Sequence, residues 1–108
     1  MKSLGFVEVQ SVAAAIDCLD IMCKAAAVEF VTWERKLGGR LVTIIVEGQL
    51  SAVKAAVEAT ESAIIKPAAT AVIASPHSET ERMVRLSASR LAKLKEQENK
   101  QDKYIQEV

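Results

Sequence analysis

The spacing of apolar and polar residues changes several times along the chain, and each change marks an element. Residues 4–9 partly alternate, with Phe6 and Val7 apolar and Glu8 and Gln10 polar, the pattern of a short strand. Ser11 is placed to cap a following helix. Through about residue 26, Val12, Ile16, Leu19 and Cys23 recur every three or four positions with Asp17, Asp20 and Lys24 between them, which predicts an amphipathic helix with that apolar stripe toward the core. Residues 28–34 carry Val28, Phe30, Val31, Thr32 and Trp33, and residues 41–46 are an almost unbroken β-forming run that reads as a buried central strand. The two glycines between them predict a tight hairpin turn.

Leu50, Val53, Val57, Thr60 and Ile64 mark a second amphipathic helix reaching about residue 65, where Pro67 forbids continuation. Residues 69–74 suit a last short strand. Ser75, Pro76 and His77 turn the chain, and Ser78 followed by Glu81 has the form of a capping box that starts a third helix. The order β-α-β-β-α-β-α contains the split βαβ pattern. It predicts an α/β fold of the α+β sandwich type, related to ferredoxin-like domains, with a four-stranded antiparallel sheet and flanking helices. Residues 1–88 form this domain. Residues 89–108 are rich in charge and poor in apolar side chains, and read either as a frayed helical extension or as a mobile tail.

Composition narrows the function. A chain of 108 residues fits one domain. Its 14 acidic and 14 basic residues cancel, so no overall field gathers nucleic acid or an anionic membrane around it. The four scattered aromatics Phe6, Phe30, Trp33 and Tyr104 do not make the stacking platform of an RNA-binding sheet. The start lacks the apolar core of a signal peptide and no run approaches about 18 apolar residues, so the expected location is the cytoplasm.

Catalytic chemistry is not indicated. His77 is the only histidine, which excludes multi-histidine metal sites, and the carboxylates form no pair suited to acid–base work. Cys18 and Cys23 lie roughly 140° apart around a helix axis, so they share no metal and read as buried reduced thiols. Gly38-Gly39 sits in no nucleotide-binding frame and leads from strand to strand rather than into a helix. The expectation is a protein with no catalytic residues, no cofactor and no metal.

Five segments in order carry a specific resemblance: the opening Ser3-Leu4-Gly5-Phe6-Val7-Glu8; Ala13-Ala14-Ala15-Ile16-Asp17 running to Met22-Cys23-Lys24-Ala25-Ala26; Lys36-Leu37-Gly38-Gly39-Arg40-Leu41-Val42-Thr43; Val46-Glu47-Gly48 followed by Ala52-Val53-Lys54-Ala55-Ala56; and Ser75-Pro76-His77. Over about residues 2 to 86 the chain resembles the hexamer-forming, single-domain shell proteins of bacterial microcompartments. The resemblance implies a homo-hexamer that tiles with neighbouring hexamers and sister shell proteins into a sheet enclosing metabolic enzymes.

It further implies that Lys36, Leu37, Gly38, Gly39 and Arg40 line a pore on the sixfold axis, and that Lys24, Ser75, Pro76 and His77 lie at the hexamer edge. Small, anionic or polar metabolites would cross, and the C-terminal extension would offer a contact to the enclosed enzymes. Two positions depart from the family pattern. Ser75 replaces a frequent arginine, and the pore loop is one residue longer, with Arg40 in place of a small residue. The residues alone leave a second function open: a stand-alone regulatory domain of the same topology that holds an effector at Gly38-Gly39.

Overall fold

The computed structural model of the protein describes residues 2–35 and 41–106. Four strands, β1 (Ser3–Val9), β2 (Glu29–Arg35), β3 (Val42–Gly48) and β4 (Ala69–Ile73), pair antiparallel in the order β2-β3-β1-β4. Helices α1 (Val12–Ala25) and α2 (Leu50–Ala59) cover one face of the sheet, and α3 (Ser78–Gln106) lies against the other. This is the four-stranded antiparallel sheet with flanking helices that the element order implies.

Strand alternation explains the two layers. Val7 and Val9 of β1, with Val42, Ile44 and Val46 of β3, point to the α1/α2 side and join Ala14, Ala15, Cys18, Met22, Val53, Ala56 and Val57 in the main core. Leu4 and Ile45 point the other way and meet Val84 of α3, with Phe6 and Val31 packed around them. β3 is therefore buried on both faces, as its unbroken apolar run requires. Gly5 sits where β1 passes beneath α2. A Cβ there would lie 2.8 Å from a methyl of Val53 and 3.1 Å from one of Val57, so the close approach needs glycine.

Helix ends and faces differ from the sequence pattern in three places. Ser11 caps α1 as expected, its hydroxyl accepting the Ala14 N–H at 3.1 Å. The buried stripe of α1, however, is Ala14, Ala15, Cys18 and Met22, rotated from the stripe of bulkier residues, and Ile16 stands 59% exposed. Three small residues and Met22 fill that face, and Val12 and Leu19 of the bulkier stripe pack at its margin. Cys23 is consequently exposed, while Cys18 is buried.

Helix α2 stops at Ala59 and continues only as one 3-10 turn, Thr60–Ser62, well before residue 65. The buried Thr60 hydroxyl donates to the Val57 carbonyl at 2.6 Å, tightening that turn. At the third helix, Ser78 is already helical and His77 is the cap, its Nδ1 accepting the Glu79 N–H at 3.1 Å. The backbone carbonyl of His77 accepts the Glu81 N–H at 3.0 Å, the first helical bond. From there α3 runs without a break past residue 88 to Gln106.

The two cysteines should separate chemically. Burial, and secondarily the charge of Asp17, raises the Cys18 thiol pKa above its ordinary value, which starves it of reactive thiolate. A thiol reagent at pH 8 should titrate one thiol per folded chain, Cys23, and the second only after denaturation. Two fast thiols would contradict the assigned core face of α1.

Candidate functional site

Strand direction separates the residues of interest into two groups. At one end of the sheet Ser3 pairs with Gly48 and Leu4 with Ile73; at the other, Val42 pairs with both Val9 and Arg35. Seven-residue strands place these ends about 20 Å apart. The connection from Arg35 to Val42 leaves from the second end. Residues 36–40, assigned to a pore by resemblance, lie outside the described residues.

The four expected edge residues gather at the first end. Lys24 is in the last turn of α1, and the chain then passes Ala27, whose carbonyl would lie 3.1 Å from a Cβ on Gly48. Gly48 pairs with Ser3, and the Ser3 hydroxyl donates to the Ala74 carbonyl at 2.8 Å. Ser75, Pro76 and His77 follow directly. Lys24 thus approaches this end from the α1/α2 side, and the Pro76 corner approaches it from the α3 side.

Their surroundings differ. The Lys24 side chain is 77% exposed, and its Nζ is 2.7 Å from Asp20 Oδ2, one helical turn back. The hydrogen bond and charge of Asp20 raise the lysine pKa, and its position at the helix C-terminus suits a cation. An ammonium has three donors, so the pair leaves Lys24 able to engage a further acceptor. Ser75 is exposed, whereas Pro76 is buried and shares a cavity of about 210 Å³ with Lys2, Leu4, Glu47 and Val84. His77 has an exposed ring that is already committed as the cap of α3.

A polar clamp that the sequence pattern does not announce holds α3 in place. Glu47, only 8% exposed, accepts from Arg85 Nη2 at 2.7 Å, and Lys2 Nζ stands 3.8 Å from its other oxygen. Lys2 also lies 3.6 Å from Glu29. Further along α3, Ser87 donates to Glu34; its single proton is thereby committed, so the buried Thr32 hydroxyl, 3.0 Å away, donates to Ser87. A bulge between Phe30 and Thr32 turns Val31 and Thr32 to the α3 side together. The available signal was the spacing of Val84, Ser87 and Leu91, which puts Ser87 on an inward helical stripe.

Among the described residues no group of histidines, cysteines and carboxylates could hold a metal ion, and no helix is long and apolar enough to cross a membrane. Among the described residues the arrangement offers surfaces and a clamp. Because Glu47 is buried and Arg85 half exposed, Arg85→Ala should cost about 1–2 kcal/mol, a discounted version of breaking a fully buried pair. Adding Glu47→Gln should recover part of that loss. Urea unfolding of the four variants in a double-mutant cycle measures the coupling, and additive losses would show that no clamp exists.

Comparison with known proteins bears on the family and the fold. The sequence pattern of the BMC domain matches residues 3–76. The chain is 41% identical over 86 residues to the bacterial microcompartment shell protein PduA of Citrobacter freundii, covering 77% of this chain and 91% of that protein. It is 38% identical over 91 residues to the carboxysome shell protein CsoS1C of Hydrogenovibrio crunogenus, covering 81% and 88%. The crystal structure of a microcompartments protein from Desulfitobacterium hafniense DCB superimposes with a TM-score of 0.67 at 25% identity, covering 81% of this chain; the chain spans about half, 48%, of that longer one. The chain belongs to the BMC-domain family of bacterial microcompartment shell proteins.

Proposed function

We propose that this structural shell protein closes into a homo-hexamer. Residues 1–88 form the tile, and rings pack edge to edge with one another and with sister shell proteins in the wall of a cytoplasmic microcompartment. The observation that supports this reading most directly is the division of the sheet into two ends about 20 Å apart. One end carries the β2–β3 connection and the other carries Lys24, Ser75, Pro76 and His77. A wedge needs that polarity: its narrow end meets the axis and its broad end meets the next ring. The fold and the relatives support a building role with no catalytic step of its own.

In this reading Lys36, Leu37, Gly38, Gly39 and Arg40 surround the sixfold axis. Glycines let six backbones converge without colliding Cβ atoms. Sixfold repetition of Lys36 and Arg40 is tolerable, since like charges about 10 Å apart in water repel by only about 0.4 kcal/mol per pair before screening. Such a rim favours small anionic or polar metabolites. The extension beyond residue 88 offers a contact to enclosed enzymes.

The mass in solution tests the ring. A hexamer, with sheets or tubes under the electron microscope, is expected. A monomer, dimer or trimer at every salt concentration would favour the regulatory-domain reading instead. Lys24→Ala should leave hexamers intact and abolish extended sheets, and unchanged sheets would remove Lys24 from the edge. Lys36→Glu and Arg40→Glu should each slow anion entry into assembled shells; unaltered flux in both would end the charge-selection argument.

A further inference from the structure

Among the apolar surfaces left exposed in the described residues, which also include Met83, Leu86 and Leu94 of α3, two lie toward opposite edges of the sheet. The first is a groove of about 250 Å³ beside edge strand β2. Its walls are Ile16 and Leu19 of α1, Phe30 and Trp33 of β2, and Leu91 of α3. Ile16 is 59% and Phe30 38% exposed, so this groove keeps apolar surface in water. The second is the Ile64-Ile65 pair in the segment that leads into the other edge strand, β4. Ile64 is 95% and Ile65 50% exposed. Adjacent isoleucines at that exposure are costly in a monomer and suit a buried contact.

We infer that Ile64-Ile65 of one copy seats in the α1/β2/α3 groove of the next copy, making the contact that closes the ring. The inference rests on the hexamer reading and deepens it by naming the two surfaces that meet.

Three observations select a second copy as the occupant. A projection on one side of a subunit and a recess on the other is the condition for a heterologous contact, which repeats head to tail and forms a ring when the rotation closes. Of the charges beside the pair, exposed Glu61 can meet Lys95 at the rim of the groove, while Lys66, next to Ile65, is exposed as well and must point away from Lys95. Helix α3 does not itself turn back into the recess, because it continues through Gln106, its rise reaching roughly 16 Å beyond Lys95. Helix α3 adds Leu91 and Lys95 as a third wall, so the inference also gives the middle of that helix a structural task.

Site-directed crosslinking separates this contact from the ring itself. In a Cys23→Ser background, the chain carrying both Ile16→Cys and Ile64→Cys should give, on mild oxidation, a ladder reaching six chains on a non-reducing denaturing gel. Each single variant should stay monomeric on that gel, and a mixture of the two singles should give crosslinked dimers. A hexamer by mass that yields no ladder overturns the inference and leaves the ring standing. Dimers from Ile64→Cys alone, which would mean projection against projection, overturn it as well. A parent chain that never exceeds a trimer overturns the ring and the contact together. Independently, Ile64→Asp, at a position too exposed to disturb folding, should raise the concentration at which hexamers dissociate by at least about tenfold; no change would count against the contact.

Discussion

A sheet whose central strands are apolar on both faces must be covered twice, and most of this structure follows from that requirement. β1 and β3 send Val7, Val9, Ile44 and Val46 one way and Leu4 and Ile45 the other. One layer of helices hides only half of this surface. α1 and α2 take the first face with a dense patch of small residues, and α3 takes the second with far fewer apolar contacts. The thinner layer relies on polar fixation: Arg85 on Glu47, Ser87 on Glu34, and Thr32 on Ser87. Those bonds have direction where apolar contacts do not, so they set the angle at which α3 leaves the sheet.

Element type and order were legible in the sequence because they rest on local chemistry. Ser11 caps, Pro67 interrupts, and the run before Gly48 is too continuously apolar for an edge strand. What period alone does not resolve is which side of a helix meets the sheet when two stripes compete. In α1 the deepest positions are Ala14, Ala15, Cys18 and Met22; of the stripe Val12, Ile16, Leu19 and Cys23, Val12 and Leu19 pack at the margin of the core while Ile16 and Cys23 are exposed. The capping box at Ser78 was displaced by one residue. An imidazole that accepts the Glu79 N–H does what a serine hydroxyl would do, but rules built on small polar side chains do not anticipate it.

The candidate site was legible in a different way. Nothing in the spacing of Lys24 and Pro76-His77 shows that they share a neighbourhood, since some fifty residues separate them. Antiparallel pairing brings them to one end of the sheet, through Ser3 against Gly48 and the Ser3 hydroxyl on Ala74. The clamp at Glu47 was hidden for the opposite reason. A carboxylate near the end of a strand reads as a solvated terminus until a helix from elsewhere in the chain lies across it with an arginine.

These points converge on how a small domain becomes a building unit. Each strand has a direction, so a sheet of four antiparallel strands has two unlike ends and, at β2 and β4, two unlike edges. A subunit that repeats around an axis needs one end for the axis, one for the outside and two edges that fit each other. Here the ends differ: the β2–β3 connection leaves from one, and a lysine and a proline corner lie at the other. The edges differ in relief: β2 is flanked by a recess that α1 and α3 help to wall, and β4 is preceded by two protruding isoleucines. A monomer gains nothing from keeping Ile64 and Ile16 in water. Covered by a second copy, as inferred above, both would leave water, and the stability of a domain this small would then rest partly on its assembly.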